Sequence, residues 1–271
     1  MPKDPPILVE PSWLDERLTE PNIQVIDLSD SQRSRMEWIP GAINLQYSDI
    51  VNGGLPATGQ VPSEDKLQLL RSKIGLRKDL HIIAYDDEGS GRASRLVWTL
   101  YLLGHRRASV LNGGIHSWVD DGRLVTRDRS NPTASDQALF TLDESVLATR
   151  NYVFTRLNSS DHIFLDVRTK EEYCGSRTLA SRGGHIPGAV NLDWLDTIDA
   201  TRQLRLKSKS DLSKKLQQLG ISPDREIIVY CQTHHRSAHS WMMLKHLGYP
   251  RVRGYAGSWS EWGNNESMPI E

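Results

Sequence analysis

Glu226-Ile227-Ile228-Val229-Tyr230-Cys231-Gln232-Thr233-His234-His235-Arg236-Ser237 is the stretch from which the fold can be read. The β-branched run Ile227 to Val229 has the form of a buried strand in a parallel sheet. A cysteine stands where that strand ends, and a polar loop follows. Ala238-His239-Ser240-Trp241-Met242-Met243-Leu244-Lys245-His246-Leu247 then reads as a helix. Ala238, Trp241, Met242 and Leu247 fall on one helical face, and Gly248 supplies the C-terminal stop. The Cys231 thiol therefore lies between a strand's carboxyl end and a helix's amino end. Ligands of open α/β sheets bind at that position. Loop amides and the helix start favour negative charge there. Arg236, and His234 or His235 when protonated, add positive potential, and each effect favours thiolate over thiol. Cys231 is read as a nucleophile that handles an anion. The competing role, a buried inert cysteine, leaves the polar, cationic loop behind it unexplained.

Working outward, the chain repeats itself. Val25-Ile26-Asp27-Leu28 resembles Phe164-Leu165-Asp166-Val167, and Ile39-Pro40-Gly41-Ala42-Ile43-Asn44-Leu45 resembles Ile186-Pro187-Gly188-Ala189-Val190-Asn191-Leu192. Ile82-Ile83-Ala84-Tyr85 matches Ile227-Ile228-Val229-Tyr230, and Leu102-Leu103-Gly104 matches His246-Leu247-Gly248. Val110 to Gly114 followed by Trp118 parallels Gly254 to Ser258 followed by Trp262. The order is the same in both halves, so the chain reads as a duplicated α/β domain. Within the first half, strands are expected near Val25–Leu28, Ile82–Ala84 and Val110–Leu111. Helices are expected over Pro11–Leu18, Ser63–Ile74, Arg92–Leu103 and Ile115–Val119, with Ser210–Leu219 the second-half counterpart of the Ser63 helix. Parallel strands joined by helices make a sheet covered on both faces. The polar stretch Arg127 to Ser135 reads as a linker. The expected division is a first domain over 1–130, a linker over 131–148 and a second domain over 149–271.

The chain has 271 residues, with 33 basic and 34 acidic side chains and a net charge of −1. That length accommodates two domains. The balanced charge gives no electrostatic footprint for nucleic acid or a membrane surface. Met1-Pro2-Lys3-Asp4-Pro5-Pro6 opens without an apolar run, and no stretch is long enough to span a bilayer, so the cytoplasm is the expected compartment. Two cysteines do not make a disulfide framework.

The halves differ at the cysteine. Tyr85 aligns with Tyr230, so Asp86 occupies the position of Cys231, followed by the acidic, glycine-rich Asp87-Glu88-Gly89-Ser90-Gly91-Arg92. A carboxylate is no sulfur nucleophile and repels an anion. The first domain is expected to be catalytically silent, to buttress the second and to form one wall of its cleft. Metal binding by the acidic trio is the competing role.

These features together resemble the tandem-domain rhodanese sulfurtransferases. The carriers are Asp166-Val167-Arg168 with Glu172-Tyr173, His185-Ile186-Pro187-Gly188-Ala189, the strand-ending Cys231 with its six-residue loop, and Gly257-Ser258-Trp259. The loop Cys231-Gln232-Thr233-His234-His235-Arg236 is similar to that of the Azotobacter-type thiosulfate:cyanide sulfurtransferases. The resemblance covers almost the whole chain. It implies two tandem rhodanese-like α/β domains, each a mainly parallel sheet covered by helices on both faces. It also implies transfer of a sulfane sulfur from thiosulfate or a similar small anionic donor to a thiophile such as cyanide. The carrier is a persulfide on Cys231, cradled by Gln232, Thr233, His234, His235 and Arg236, with no metal or organic cofactor. Two half-reactions and ping-pong kinetics follow. The alternative acceptor is a protein, which would make the molecule a persulfide carrier.

The sequence departs from the family in places. The animal thiosulfate enzymes carry cationic residues after the cysteine and the mercaptopyruvate branch a Gly-Ser pair; Gln232-Thr233 matches neither. Both branches place a substrate-binding arginine just before the tyrosine matched by Tyr173, where this chain has Glu172. Asp166 and Arg168 are expected to form an ion pair that braces the loop. Trp194 and Trp259 are expected at the pocket mouth or in the core. Cys174, in the turn Cys174-Gly175-Ser176, is expected to be an incidental surface thiol. His234 and His235 on a tight loop lack the partners of a zinc site. Cysteine phosphatases share the strand–loop–arginine–helix plan, but their loops hold one residue more between cysteine and arginine. The shorter loop suits one sulfur atom better than a phosphate.

Overall fold

The computed structural model describes residues 4–30, 37–128, 130–131 and 141–271. Pro132 to Phe140, in the first half of the expected linker, lie outside the described residues, as do Met1, Pro2 and Lys3 at the start of the chain. The first half forms strands β1 (Leu8–Val9), β2 (Ile23–Asp27), β3 (Ile43–Asn44), β4 (His81–Tyr85) and β5 (Ala108–Leu111). Its helices are α1 (Pro11–Asp15), α2 (Glu64–Lys73), α3 (Gly91–Leu102) and α4 (Gly114–Asp120). The strands pair in parallel in the order β1-β5-β4-β2-β3.

The second half supplies β6 (Leu147–Ala148), β7 (His162–Asp166), β8 (Val190–Asn191), β9 (Ile198–Asp199), β10 (Arg205–Leu206), β11 (Glu226–Tyr230) and β12 (Val252–Tyr255). Its helices are α5 (Arg150–Phe154), α6 (Lys170–Tyr173), α7 (Lys209–Gln218), α8 (Arg236–His246) and α9 (Ser258–Trp262). The parallel order β6-β12-β11-β7-β8 repeats that of the first sheet place for place. Strand β6 occupies the end of the expected linker.

The duplicated residues do duplicated work. Ser63 caps α2 by accepting the Lys66 amide at 3.5 Å, and Ser208 caps α7 by accepting that of Asp211 at 3.1 Å. The Tyr85 hydroxyl accepts the Ile39 amide at 3.4 Å, and the Tyr230 hydroxyl accepts the Ile186 amide at 3.1 Å. Each tyrosine thus ties the central strand to its Ile-Pro-Gly turn. Alternation along a strand sends successive side chains to opposite faces. Ile83 and Tyr85 pack with Leu14 of α1 and Trp118 of α4, while α3 lies against β4 and β5. Ile228 and Tyr230 pack with Val153 of α5 and Trp262 of α9, while α8 lies against β11 and β12.

Helix α8 departs from the expectation. It starts at Arg236 rather than Ala238, and every residue from Ser237 to Leu244 is buried instead of one face only. The sheet covers one side. A 3-10 turn at Trp194–Thr197 covers another, where the Thr197 hydroxyl meets His239 Nε2 at 2.9 Å. Gly248 follows the helix at φ +88°, the left-handed conformation that a C-terminal stop requires.

The chain folds into two compact units, and each takes a segment from the other half of the sequence. Asp199–Leu206 belongs to the first unit. There the Leu206 amide donates to Asn112 Oδ1 at 2.8 Å and Arg205 pairs with Asp121 at 2.8 Å. Val51–Val61 belongs to the second unit. Among the described residues no helix is long and apolar enough to cross a membrane.

Candidate active site

Strand β11 is hydrogen-bonded to β7 and β12 on its two edges, which fixes where it ends. Cys231 is the next residue and is fully buried, with a free thiol. Its carbonyl accepts the Trp259 amide at 2.9 Å, and the Gln232 carbonyl accepts that of Ser260 at 2.9 Å. The Ser258 hydroxyl accepts the Cys231 amide at 3.3 Å and the His234 amide at 3.1 Å, and donates to the Tyr255 carbonyl at 2.7 Å. One buried hydroxyl thus clamps the two ends of the turn. Both ends of the clamp are strained: His234 has φ +56° and Ser258 φ +51°, conformations that non-glycine residues seldom adopt. Such strain persists only where surrounding bonds fix it.

The sulfur is ringed by donors. The Ser237 hydroxyl donates to Sγ at 3.5 Å, and His234 Nδ1 lies 2.7 Å from the same hydroxyl. With the Ser237 proton directed at sulfur, Nδ1 must carry the proton of that second bond. Burial pushes the Cys231 thiol up. The Arg236 charge, the Ser237 hydroxyl and the backbone N–H groups of Ser237 and Thr233 outweigh burial, and the thiol ends below its ordinary value. The thiol is thus shifted toward thiolate, the direction in which the sequence-placed loop amides and Arg236 act.

Arg236 is not a lone cation. It forks onto Glu172, with Nη1 at 2.6 Å from Oε2 and Nη2 at 2.8 Å from Oε1, and the Glu172 side chain is 3% exposed. Burial alone would push the Glu172 carboxyl up, but the Arg236 hydrogen bonds and charge bring it below the usual range. Glu172 also closes a capping box on α6 with Thr169. Behind this pair, Arg168 forks onto Asp166, with Nη2–Oδ2 at 2.6 Å, and donates to the Gly184 carbonyl at 2.7 Å. The Arg168 guanidinium lies 4.5 Å from the Trp259 ring centre.

Of the two tryptophans, Trp259 is a core residue with no exposed surface. Trp194 is half-buried beside the loop, its ring 6.1 Å from that of His235. Gln232 reaches out and donates to the Leu179 carbonyl at 3.1 Å. Cys174 is exposed in the turn that ends α6.

In the first half the equivalent loop closes on its own aspartate. Asp86 Oδ1 accepts the Glu88 amide at 3.1 Å and the Ser90 amide at 2.8 Å, while Oδ2 accepts the Ala93 amide at 2.9 Å. Burial and the neighbouring Glu88 push this carboxyl up, while the three amides favour its ionised form. The sequence leads one to expect a carboxylate here that repels an incoming anion; the loop amides close on that carboxylate itself. Asp87 accepts the Asp30 amide and Glu88 pairs with Arg92. Among the described residues no group of three or more His, Cys, Asp or Glu gathers as metal ligands.

Sequence reasoning reached Cys231, its loop and the two arginines. It missed Ser237, although a hydroxyl one residue past Arg236 at a helix start carried the signal. It passed over Ser258 as one letter of a motif. The sequence left open that Arg236 braces the loop against a carboxylate, but nothing in it named Glu172, 64 residues away, as that partner.

Two five-stranded parallel sheets with the same strand order, one ending in a ringed thiol and one in a ringed carboxylate, define a duplicated α/β protein with a single thiol site. The rhodanese-like domain model matches residues 10–121 and 149–265, and the chain belongs to that family. A thiosulfate sulfurtransferase of Azotobacter vinelandii is 41% identical over 98% of this chain and 97% of its own length. The sulfur carrier protein TtuD of Thermus thermophilus is 33% identical over 98% of this chain and 96% of its own length. An anaerobic ergothioneine biosynthesis enzyme from Chlorobium limicola superposes with a TM-score of 0.87 over 98% of this chain and 70% of its own, at 20% identity, a likeness of fold.

Proposed function

We propose that the protein is a thiosulfate sulfurtransferase whose nucleophile is Cys231. The Cys231 thiolate attacks the outer sulfur of thiosulfate. The sulfur–sulfur bond of the donor breaks, sulfite departs with the bonding pair, and Cys231 holds a persulfide. A thiophile such as cyanide then attacks the terminal sulfur, the persulfide bond breaks, and the thiolate returns as thiocyanate leaves. The amides of Thr233 and Ser237 and the Ser237 hydroxyl stabilise the anionic sulfur at each stage. Gln232, Thr233, His234, His235 and Arg236 form the cradle. Asp166, Arg168 and Trp259 brace it from below, and Trp194 stands at its edge. The observation that carries this reading is the buried Cys231 sulfur, bonded by the Ser237 hydroxyl, at the end of a central parallel strand.

In this reading residues 1–130 are the silent domain, 131–148 the linker and 149–271 the catalytic domain, and the enzyme works in the cytoplasm. A small anionic donor fits the cradle. Delivery to a protein acceptor is the second reading. It draws support from Leu179 and Leu195, 55% and 56% exposed on segments that border the loop, and from the name of the Thermus relative. Persulfide transfer to lysate proteins that outpaces transfer to cyanide would favour it.

The test of the nucleophile is thiocyanate formation by two single variants. Cys231→Ser is expected to abolish turnover and Cys174→Ser to leave it within about twofold of wild type. Equal losses in both would overturn the assignment.

A further inference from the structure

Gly59 lies in the first half of the sequence but in the compact unit that contains Cys231. The segment Val51–Val61 closes on itself where the Asn52 amide donates to the Gln60 carbonyl at 3.0 Å. Its far end lies beside the second half: Gln60 and Val61 wall a cavity of about 300 Å³ together with Leu147, Ala148, Tyr255 and Gly257. Between closure and wall, the Gly59 backbone presses on the cysteine loop. A Cβ built on Gly59 would fall 2.0 Å from the Thr233 carbonyl oxygen, 2.5 Å from its carbon and 2.8 Å from its Cα. All three are backbone atoms, so no rotamer change can relieve the collision. Gly59 is absent from the positive-φ glycines. The demand for glycine here is therefore steric, and it comes from the thiol loop.

We propose that Gly59 is a positioning residue for the Cys231 loop, and that Val51–Val61 seats Thr233, through its carbonyl and Cα, where its N–H points at the sulfur. The route is short. The Thr233 backbone N–H is one of the donors that stabilise the thiolate. That N–H and the carbonyl that Gly59 meets flank the same Cα, so displacing Thr233 withdraws the donor from the sulfur. A misplacement of about 1 Å at a reacting group can cost on the order of 100-fold in rate. The first half thus contributes to the thiol site through one residue without a side chain, although its own equivalent of the cysteine is filled by Asp86.

The inference rests on Cys231 being the reactive thiol, and its test reads that thiol directly. In a Cys174→Ser background, the rate of iodoacetamide alkylation at Cys231 is measured against pH, with melting temperature and sulfur loading from thiosulfate on the same samples. Gly59→Ala is expected to move the alkylation profile to higher pH and to slow sulfur loading by about tenfold or more. Gly53→Ala and Gly54→Ala, in the same segment but with nothing within 4 Å of an added Cβ, are expected to match wild type. Should Gly59→Ala not fold, Asn52→Pro decides: it removes the amide that closes the segment, adds no atom beside Thr233, and should shift the profile in the same direction. An unshifted profile in a folded Gly59→Ala, an unshifted Asn52→Pro where that variant decides, or an equal shift in the Gly53 and Gly54 variants, overturns the proposal. Failure of sulfur loading in wild type, with a normal alkylation profile, would instead count against the sulfurtransferase reading.

Discussion

The Arg236–Glu172 fork makes the charge beside Cys231 a balance of two opposite signs. Arg236 lowers the thiol, and a carboxylate paired to that guanidinium, Glu172, is expected to offset part of its field. Removing either member should move the thiol in opposite directions. Arg236→Ala is expected to shift Cys231 alkylation to higher pH, and Glu172→Gln to shift it to lower pH. Arg236→Ala should also cost about 2 kcal/mol or more in stability, because it leaves the buried Glu172 carboxylate without its partner. Arg236→Lys should recover only part of either loss, since lysine keeps the charge but lacks the fork. Alkylation profiles and melting curves on the three variants check this; a common direction of shift in the Ala and Gln variants would show that the pair acts by shape and not by charge. Because folding lowers the Cys231 thiol, its ionisation contributes stability above the unfolded value of about 8.5 and loses it as pH falls through the folded one. At this scale the sequence announced the cysteine and the arginine by their neighbours in the chain. The carboxylate that tempers the arginine was hidden, because only the folded sheet brings α6 to the start of α8.

The strand–loop–helix element occurs twice, and its two copies show what the loop amides are for. In the second half they face a thiol; in the first they face the Asp86 carboxylate. Removing that carboxylate should leave an anion site without its anion. Asp86→Ala is expected to lose about 2 kcal/mol of stability, since three amides, two of them in buried bonds, lose their acceptor. Sulfate or thiosulfate should restore part of the melting temperature by occupying the vacated loop, while sulfur transfer at Cys231 stays within about threefold of wild type. Melting curves with and without sulfate check it, and a variant as stable as wild type without anion would contradict the account. The element itself was legible, because a β-branched strand, a loop and an apolar helix carry distinct local patterns. The exact start of α8 was not, since the helix begins inside the polar loop and no apolar residue marks it.

At the scale of the molecule, the repeat was legible because matching motifs recur in matching order, and the two sheets follow that order. The exchange of segments was not. Val51–Val61 and Asp199–Leu206 carry no pattern that says which unit they join, because their partners are set by contacts such as Leu206 with Asn112. Residues 1–130 expressed alone are therefore expected to form no thiocyanate. Residues 149–271 alone, lacking Gly59, should turn over more slowly than the full chain. The central claim is that one sulfur atom travels on Cys231, and intact-mass spectrometry reads it directly. The full-length protein should gain the mass of one sulfur after thiosulfate and lose it after cyanide, and Cys231→Ser should gain nothing. A wild-type mass unchanged by thiosulfate, or a sulfur retained by Cys231→Ser, would contradict the account.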